Sequence, residues 1–254
     1  MLALQIKNLS KRYGKVRALR EVSFEVHAGE IFGYLGPNGA GKTTTLRAIL
    51  GLVRAESGEV RVLDQSARQP EAREALGFLP GELHLYGNLT GQALLDYFAR
   101  FRPQRPPVLR EKLSRALEVD PATLARKIKF LSHGTKQKLG LIIAMQHDPR
   151  LLLLDEPTLG LDPLRQQALQ ELLRDFARRG CAVLFSSHVL SEVKTLCDRV
   201  AILRAGELVA VESLAALRDK MIRRLHVRFR HDAPQNLAQT AGVITAHLAG
   251  REAV

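Results

Sequence analysis

Only two of the 254 residues are cysteine, Cys181 and Cys197, and they form no CxxC pair. No disulfide framework is encoded, and a reducing compartment suits the chain. Long apolar runs are missing as well, since stretches such as Leu151 to Leu154 fall far short of the ~18 residues that cross a bilayer. No transmembrane helix is expected. The N-terminal stretch MLALQIKNLSKRYG meets Lys7 and Lys11 before any apolar segment long enough for a secretory leader, so no export signal is expected either. Aromatic residues make up 5 %, and the arginine-rich stretches RFRPQRPPVLREK and KMIRRLHVRFR lack the regularly interleaved rings of a nucleic-acid stacking platform. Acidic residues are in deficit, 26 against 38 lysines and arginines, for a formal charge of +12. Such a surface suits general solubility or an anionic membrane leaflet, and no specific nucleic-acid partner is expected.

What is present reads as an α/β chain. LALQIKNL and VSFEV alternate as strands, EIFGYLG is a strand that ends in a glycine-rich turn, and TTTLRAIL is a helix with Gly51 placed to cap it. GEVRVLD, ALGFLP, LLLLD and AVLFSS are further strands, the last two separated by helical LRQQALQELLRDFARRG. That alternation predicts a buried parallel sheet. TGQALLDYFARF opens a helical middle interrupted by the stiff connector PQRPP, and RRLHVRFRHD begins a strand after the short helix ESLAALRDK. The expected division is an α/β core over residues 1–88 and 147–212, a helical insert over 89–146 and a small extension over 213–254. There is no internal repeat or low-complexity tract.

Three motifs carry chemistry. Residues 36–44, GPNGAGKTT, fit G-x-x-x-x-G-K-[ST] between a predicted strand and a predicted helix. The backbone of Gly36, Pro37, Asn38, Gly39, Ala40 and Gly41 can wrap phosphate oxygens, Lys42 can reach the outer phosphates, and the Thr43 hydroxyl, followed by Thr44, can ligate Mg²⁺. In LLLLDEP, Asp155 and Glu156 end a buried strand, where open α/β sheets bind ligands. Asp155 can join the Mg²⁺ shell, and Glu156 is placed to activate water beside a γ-phosphate. His188, in FSSHVLSEV, tips another core strand and is assigned a γ-phosphate contact.

The ordered set GPNGAGKTT, LSHGTKQK, LLLLDEP, GLD and SSH resembles the nucleotide-binding subunits of ATP-binding cassette (ABC) transporters over roughly residues 2–211. The resemblance implies a P-loop NTPase core with an antiparallel β subdomain and a helical insert. It also implies a head-to-tail dimer of two such subunits sandwiching ATP, separate transmembrane permease subunits, and a peripheral place on the cytoplasmic face of the membrane. Tyr13 lies where the family stacks a ring on adenine, and Asp162 lies where its members communicate across the dimer. Ser132, His133, Gly134 and Thr135 stand for the signature motif, usually LSGGQ, whose role is to contact ATP held by the partner subunit. His133 would strain the turn if its position required a positive φ, and Thr135 replaces a glutamine. Both side chains are expected to face away from phosphate, leaving Ser132, Gly134 and the helix N-terminus to work.

A second departure is Gly81, where the family usually has a glutamine that touches the Mg²⁺ shell and senses the membrane partner; Glu82 follows it as a candidate substitute. Through LPGELHLYGNLTG, SHGTKQKLGL and the C-terminal extension, the chain most resembles the branch that contains cytoplasmic motor subunits of drug, antibiotic or polymer exporters. The rival reading is a soluble ABC ATPase acting on ribosomes or nucleic acid. Such members carry two cassettes or long coiled coils, and the single GK[ST] loop with 89 residues between Lys42 and Ser132 fits neither.

Overall fold

The computed structural model describes residues 1–219 apart from Pro103, and beyond them 227–231, 234, 236, 248–249 and 252–253. The chain divides into two compact units, Met1–Leu214 and Ala215–Val254. Strands β1 (Leu2–Tyr13), β2 (Val16–His27), β4 (Ser57–Val62) and β5 (Gln65–Ser66) form an antiparallel sheet of order β2-β1-β4-β5. A second sheet has the order β10-β9-β3-β8-β7-β6, from β3 (Ile31–Leu35), β6 (Leu76–Leu79), β7 (Leu151–Asp155), β8 (Ala182–Ser187), β9 (Arg199–Arg204) and β10 (Glu207–Ser213). All of its pairings are parallel except β9 with β10. Strands β7 and β8 are buried at every position, which is why their sequences are runs rather than alternations.

The two sheets share one core with helix α1 (Lys42–Ile49). Leu4, Ile6 and Leu9 of β1 and Val22, Phe24 and Val26 of β2 pack with Leu46 and Ile49 of α1 and with Phe32 and Tyr34 of β3. Phe24 stacks on Phe32 with ring centroids 5.3 Å apart. Gly51 adopts φ +67 just past α1, as a left-handed cap requires. Burial pushes the Tyr34 phenol up, and its OH pairs with Thr45 Oγ1 of α1 at 2.9 Å.

Between β6 and β7 come α2 (Gly91–Arg100), α3 (Arg110–Ala116), α4 (Pro121–Ala125) and α5 (His133–Met145). Thr90 and Asp120 cap α2 and α4 through their side-chain oxygens. Helix α5 lies so close to β6 that a Cβ on Gly77 would come 2.1 Å from the Ala144 carbonyl oxygen. The backbone contact explains the glycine. Helices α6 (Pro163–Arg178) and α7 (Leu190–Leu196) pack on β3 and β8.

The second unit contains a three-stranded sheet of order β11-β13-β12, from β11 (Val227–Arg228), β12 (Leu248–Ala249) and β13 (Glu252–Ala253), and α8 (Leu214–Asp219) precedes it. The strand expected from Arg223 is seen at β11, and its beginning lies outside the described residues, as does Pro103 of the expected connector. Among the described residues, no helix is long and apolar enough to cross a membrane.

Candidate functional site

Parallel register brings the chemistry-bearing strand ends together. Leu35 pairs with Ser187, and Asp155 with Ser186, so the loop after β3, the Asp-Glu pair after β7 and the histidine after β8 emerge side by side. They line a cleft of about 1140 Å³ that includes Asn38, Lys42, Thr43, Asp155, Glu156 and His188. Open parallel sheets offer ligands this edge.

Helix α1 begins at Gly41, whose φ of +112 suits glycine and whose lack of a side chain leaves the first-turn amides without a side-chain cap. Those amides and the positive end of the helix favour an anion. Lys42 is buried, and its ammonium donates to the Gly36 carbonyl at 2.6 Å and the Pro37 carbonyl at 3.4 Å. Glu156 Oε1 lies 3.4 Å from the same ammonium. Gly36 and Ala40 are structural members of the loop: a Cβ on Gly36 would sit 2.5 Å from the Leu203 carbonyl oxygen, and the Ala40 side chain is buried. Gly39 has φ +78 and open space around it, and Pro37 and Thr44 line the cleft with it.

Thr43 Oγ1 donates to Asp155 Oδ2 at 3.1 Å, and Ser186 Oγ donates to Asp155 Oδ1 at 2.5 Å. Glu156 adopts a left-handed backbone, φ +49, unusual for a side chain branching into a crowded site. Its Oε2 meets His188 Nδ1 at 2.9 Å, whereas Oε1 is buried and has no hydrogen-bond partner among the described residues. That oxygen has the Lys42 ammonium 3.4 Å away but no hydrogen bond, and a buried acceptor in that state is costly.

The signature residues lie outside the cleft lining. Ser132 caps α5, its Oγ accepting the Thr135 amide at 3.2 Å and meeting Thr135 Oγ1 at 2.9 Å. His133 is the first residue of the helix and does not have a positive φ, so no turn strain arises. Its ring rests against Gly160: a Cβ there would lie 2.4 Å from His133 Nδ1. A Cβ on Gly134 would in turn lie 2.6 Å from the Gly160 carbonyl oxygen. The glycine at 134 is therefore required by close packing within the chain, a reason separate from any approach of phosphate.

Of the other expected residues, Tyr13 and Asp162 lie outside the cleft lining, whereas Gly81 and Glu82 belong to it. Tyr13 ends β1, exposed, with the Lys11 ammonium 5.0 Å from its ring centre; it is Lys15 and Val16, across the hairpin turn, that line the cleft. Glu82 points to solvent, its side chain 92 % exposed and 3.8 Å from His84, while Gly81 sits against Asp155, whose Oδ2 a Cβ would meet at 3.4 Å. Asp162 caps α6, its Oδ1 accepting the Arg165 amide at 3.1 Å.

Sequence reading missed the supports of the segment that follows Glu156. Buried Gln137 of α5 donates to the Pro157 carbonyl at 3.2 Å, and Thr158 Oγ1 donates to Glu192 of α7 at 2.7 Å. A glutamine on the apolar face of α5 was the available signal for the first.

The ABC transporter family matches residues 19–159 of the chain. An uncharacterized ABC transporter ATP-binding protein of Bacillus subtilis, YhcH, is 39 % identical over 216 residues, 83 % of this chain and 70 % of the relative. The chain belongs to the ABC transporter family. This ABC protein is an ATP-binding subunit and an ATPase, as the subunits of its family are. The linearmycin resistance ATP-binding protein LnrL of Bacillus subtilis is 35 % identical over 212 residues, 82 % of this chain and 68 % of that one. A solved structure described as the ATP-binding subunit of an ABC transporter superposes with a TM-score of 0.79 at 32 % identity, covering 86 % of this chain and 92 % of that one. The fold of the ABC ATPase is thus the P-loop cassette with its antiparallel sheet and helical insert.

Proposed function

We propose that this ABC ATPase is the motor of an exporter, closing head to tail on ATP with a second nucleotide-binding subunit and driving separate membrane subunits from the cytoplasmic face. The observation that carries the reading is the convergence of Lys42, Asp155, Glu156 and His188 on one cleft at the ends of three adjacent strands. A linearmycin resistance relative supports export as the direction.

In this reading the phosphate loop, residues 36–44, holds the ATP phosphates, and Lys42 turns from its carbonyl partners to them. Thr43 Oγ1 and Asp155 Oδ2, an oxygen pair 3.1 Å apart, suit a hard cation and would hold Mg²⁺, which offsets phosphate charge. Glu156 Oε1, buried and without a hydrogen bond, accepts the proton of the attacking water. His188 holds the other oxygen through Nδ1 and fixes the carboxylate's orientation, with its ring edge toward the γ-phosphate. Ser132, Gly134 and the start of α5 meet the nucleotide of the partner subunit, Asp162 lies at that same junction, and Tyr13 moves over adenine. The membrane subunit docks beside Gly81 and Glu82, where Tyr86, 54 % exposed, and Phe101, 64 % exposed, flank Tyr97 in edge-to-face contacts of 5.3 and 5.0 Å.

The test separates binding from chemistry. Lys42→Ala weakens ATP binding, whereas Glu156→Gln binds ATP normally, accumulates as an ATP-bound dimer in gel filtration, and loses hydrolysis by about 10²-fold or more. A monomeric Glu156→Gln protein with undiminished hydrolysis would refute the assignment of the base.

A further inference from the structure

Glu192, on α7, joins two segments that are distant in sequence. Its Oε1 accepts from Thr158 Oγ1 at 2.7 Å and its Oε2 accepts from Ser187 Oγ at 2.6 Å. Thr158 stands two residues after Glu156, and Ser187 stands immediately before His188. Both hydroxyl-bearing residues are buried. Ser187 Oγ also accepts the Val189 amide at 2.9 Å, which leaves its proton directed at the carboxylate. The Ser187 carbonyl accepts the Gly36 amide at 3.3 Å, so the same residue touches the start of the phosphate loop.

We infer that Glu192 is a positioning residue for ATP hydrolysis: its carboxylate fixes the backbones on either side of the Glu156–His188 pair and thereby aims Glu156 at the attacking water. The inference rests on the reading of Glu156 as the base. Glu156 has special need of such support. Its backbone is left-handed, and Oε1 makes no hydrogen bond, so its direction is set by the His188 bond, by the Lys42 ammonium 3.4 Å from Oε1 and by the chain around it. The segments that carry Glu156 and His188 are both held by the one Glu192 carboxylate through short charge-assisted bonds. One bond to each segment ties the Glu156 and His188 segments to each other. Gln137 of α5 anchors Pro157 independently, so cutting the Glu192 bonds lets the segment pivot without releasing it.

The experiment measures ATP hydrolysis, equilibrium ATP affinity and thermal midpoint for the full chain with Glu192→Ala, Glu192→Gln, Thr158→Val and the double variant Glu192→Ala/Thr158→Val. A displaced catalytic group costs rate rather than binding, so Glu192→Ala should lower kcat by about ten-fold or more while KM and ATP affinity stay within about two-fold. Glu192→Gln keeps one acceptor and a donor that Ser187 can receive, and should recover most of the rate. The double variant should be no slower than Glu192→Ala, because Thr158 acts through the bond already removed. Thr158→Val preserves shape, and carries the same comparison of kcat with KM if Glu192→Ala fails to fold. An unchanged kcat in folded Glu192→Ala, or losses in the double variant that multiply, overturns the inference. Glu156→Gln runs alongside: if it is inactive while Glu192→Ala is normal, only Glu192 is misassigned, whereas hydrolysis by Glu156→Gln overturns the base and this inference with it.

Discussion

His147 follows α5 and is 5 % exposed, with Nε2 3.3 Å from the Leu76 carbonyl oxygen of β6. Burial is the main reason that its pKa falls from 6.5 to about 4; the Arg102 guanidinium adds to the fall, and the bond to Leu76 and the charge of Asp148 only partly offset it. Arg102 donates to the same carbonyl at 3.1 Å, so a protonated imidazole would stand beside a cation over a shared acceptor. As pH drops, the unfolded chain takes up this proton near 6.5 and the folded chain not until about 4. The unfolded state therefore gains, and stability is lost as pH falls through that window, about 2 kcal/mol of it by pH 5 and about 3 once both states have titrated. His147→Gln keeps a donor within reach of Leu76 and removes the titration. Urea denaturation at pH 7 and pH 5 should show the parent losing about 2 kcal/mol more than the variant between the two conditions. Parallel losses would refute the reasoning, since they would mean that folded His147 titrates like a solvated one.

Two further outcomes follow from packing and exposure. Gly134→Ala should cut hydrolysis by about ten-fold through collision with Gly160, and Gly134→Asp should abolish it by adding charge at the dimer junction, both retaining ATP binding; His133→Gly should shift the barrier by about 1 kcal/mol or less. Wild-type hydrolysis in Gly134→Ala, or collapse in His133→Gly, would contradict this account of the signature. A photocrosslinker at Tyr86 or Phe101 should reach the membrane subunit in the assembled transporter, and probes that stay in solvent on assembly would remove that docking site.

The sheet strands around the site were legible because each is a short apolar run ended by a turn or a charged residue, and the phosphate loop because its glycines and lysine are contiguous. The cap role of Asp162 was also open to sequence, as an aspartate followed by proline at a helix start. Contacts between elements were not. Nothing local to Gly134 or Gly160 says that each makes room for the other, and the Thr158–Glu192 pair spans 34 positions. Periodicity reports which face a residue is on, not what it meets there. Gly81 and Glu82 show the same limit: adjacent in sequence, one lies against Asp155 and the other in solvent, a difference of backbone direction that composition does not carry.

The flush ends of β3, β7 and β8 have a consequence for how the protein comes apart. Their amides belong to the middle of the sheet and should exchange with solvent only when the whole cassette opens, unlike those of α7 or of the loop after Glu156. Asp155 ends one of those strands, and the phosphate loop and His188 follow directly from the other two, so the phosphate-binding geometry is anchored in the part expected to open last. Nucleotide that binds this folded edge and not the unfolded chain adds RT ln(1 + [L]/Kd) to the stability of the entire unit rather than of one loop.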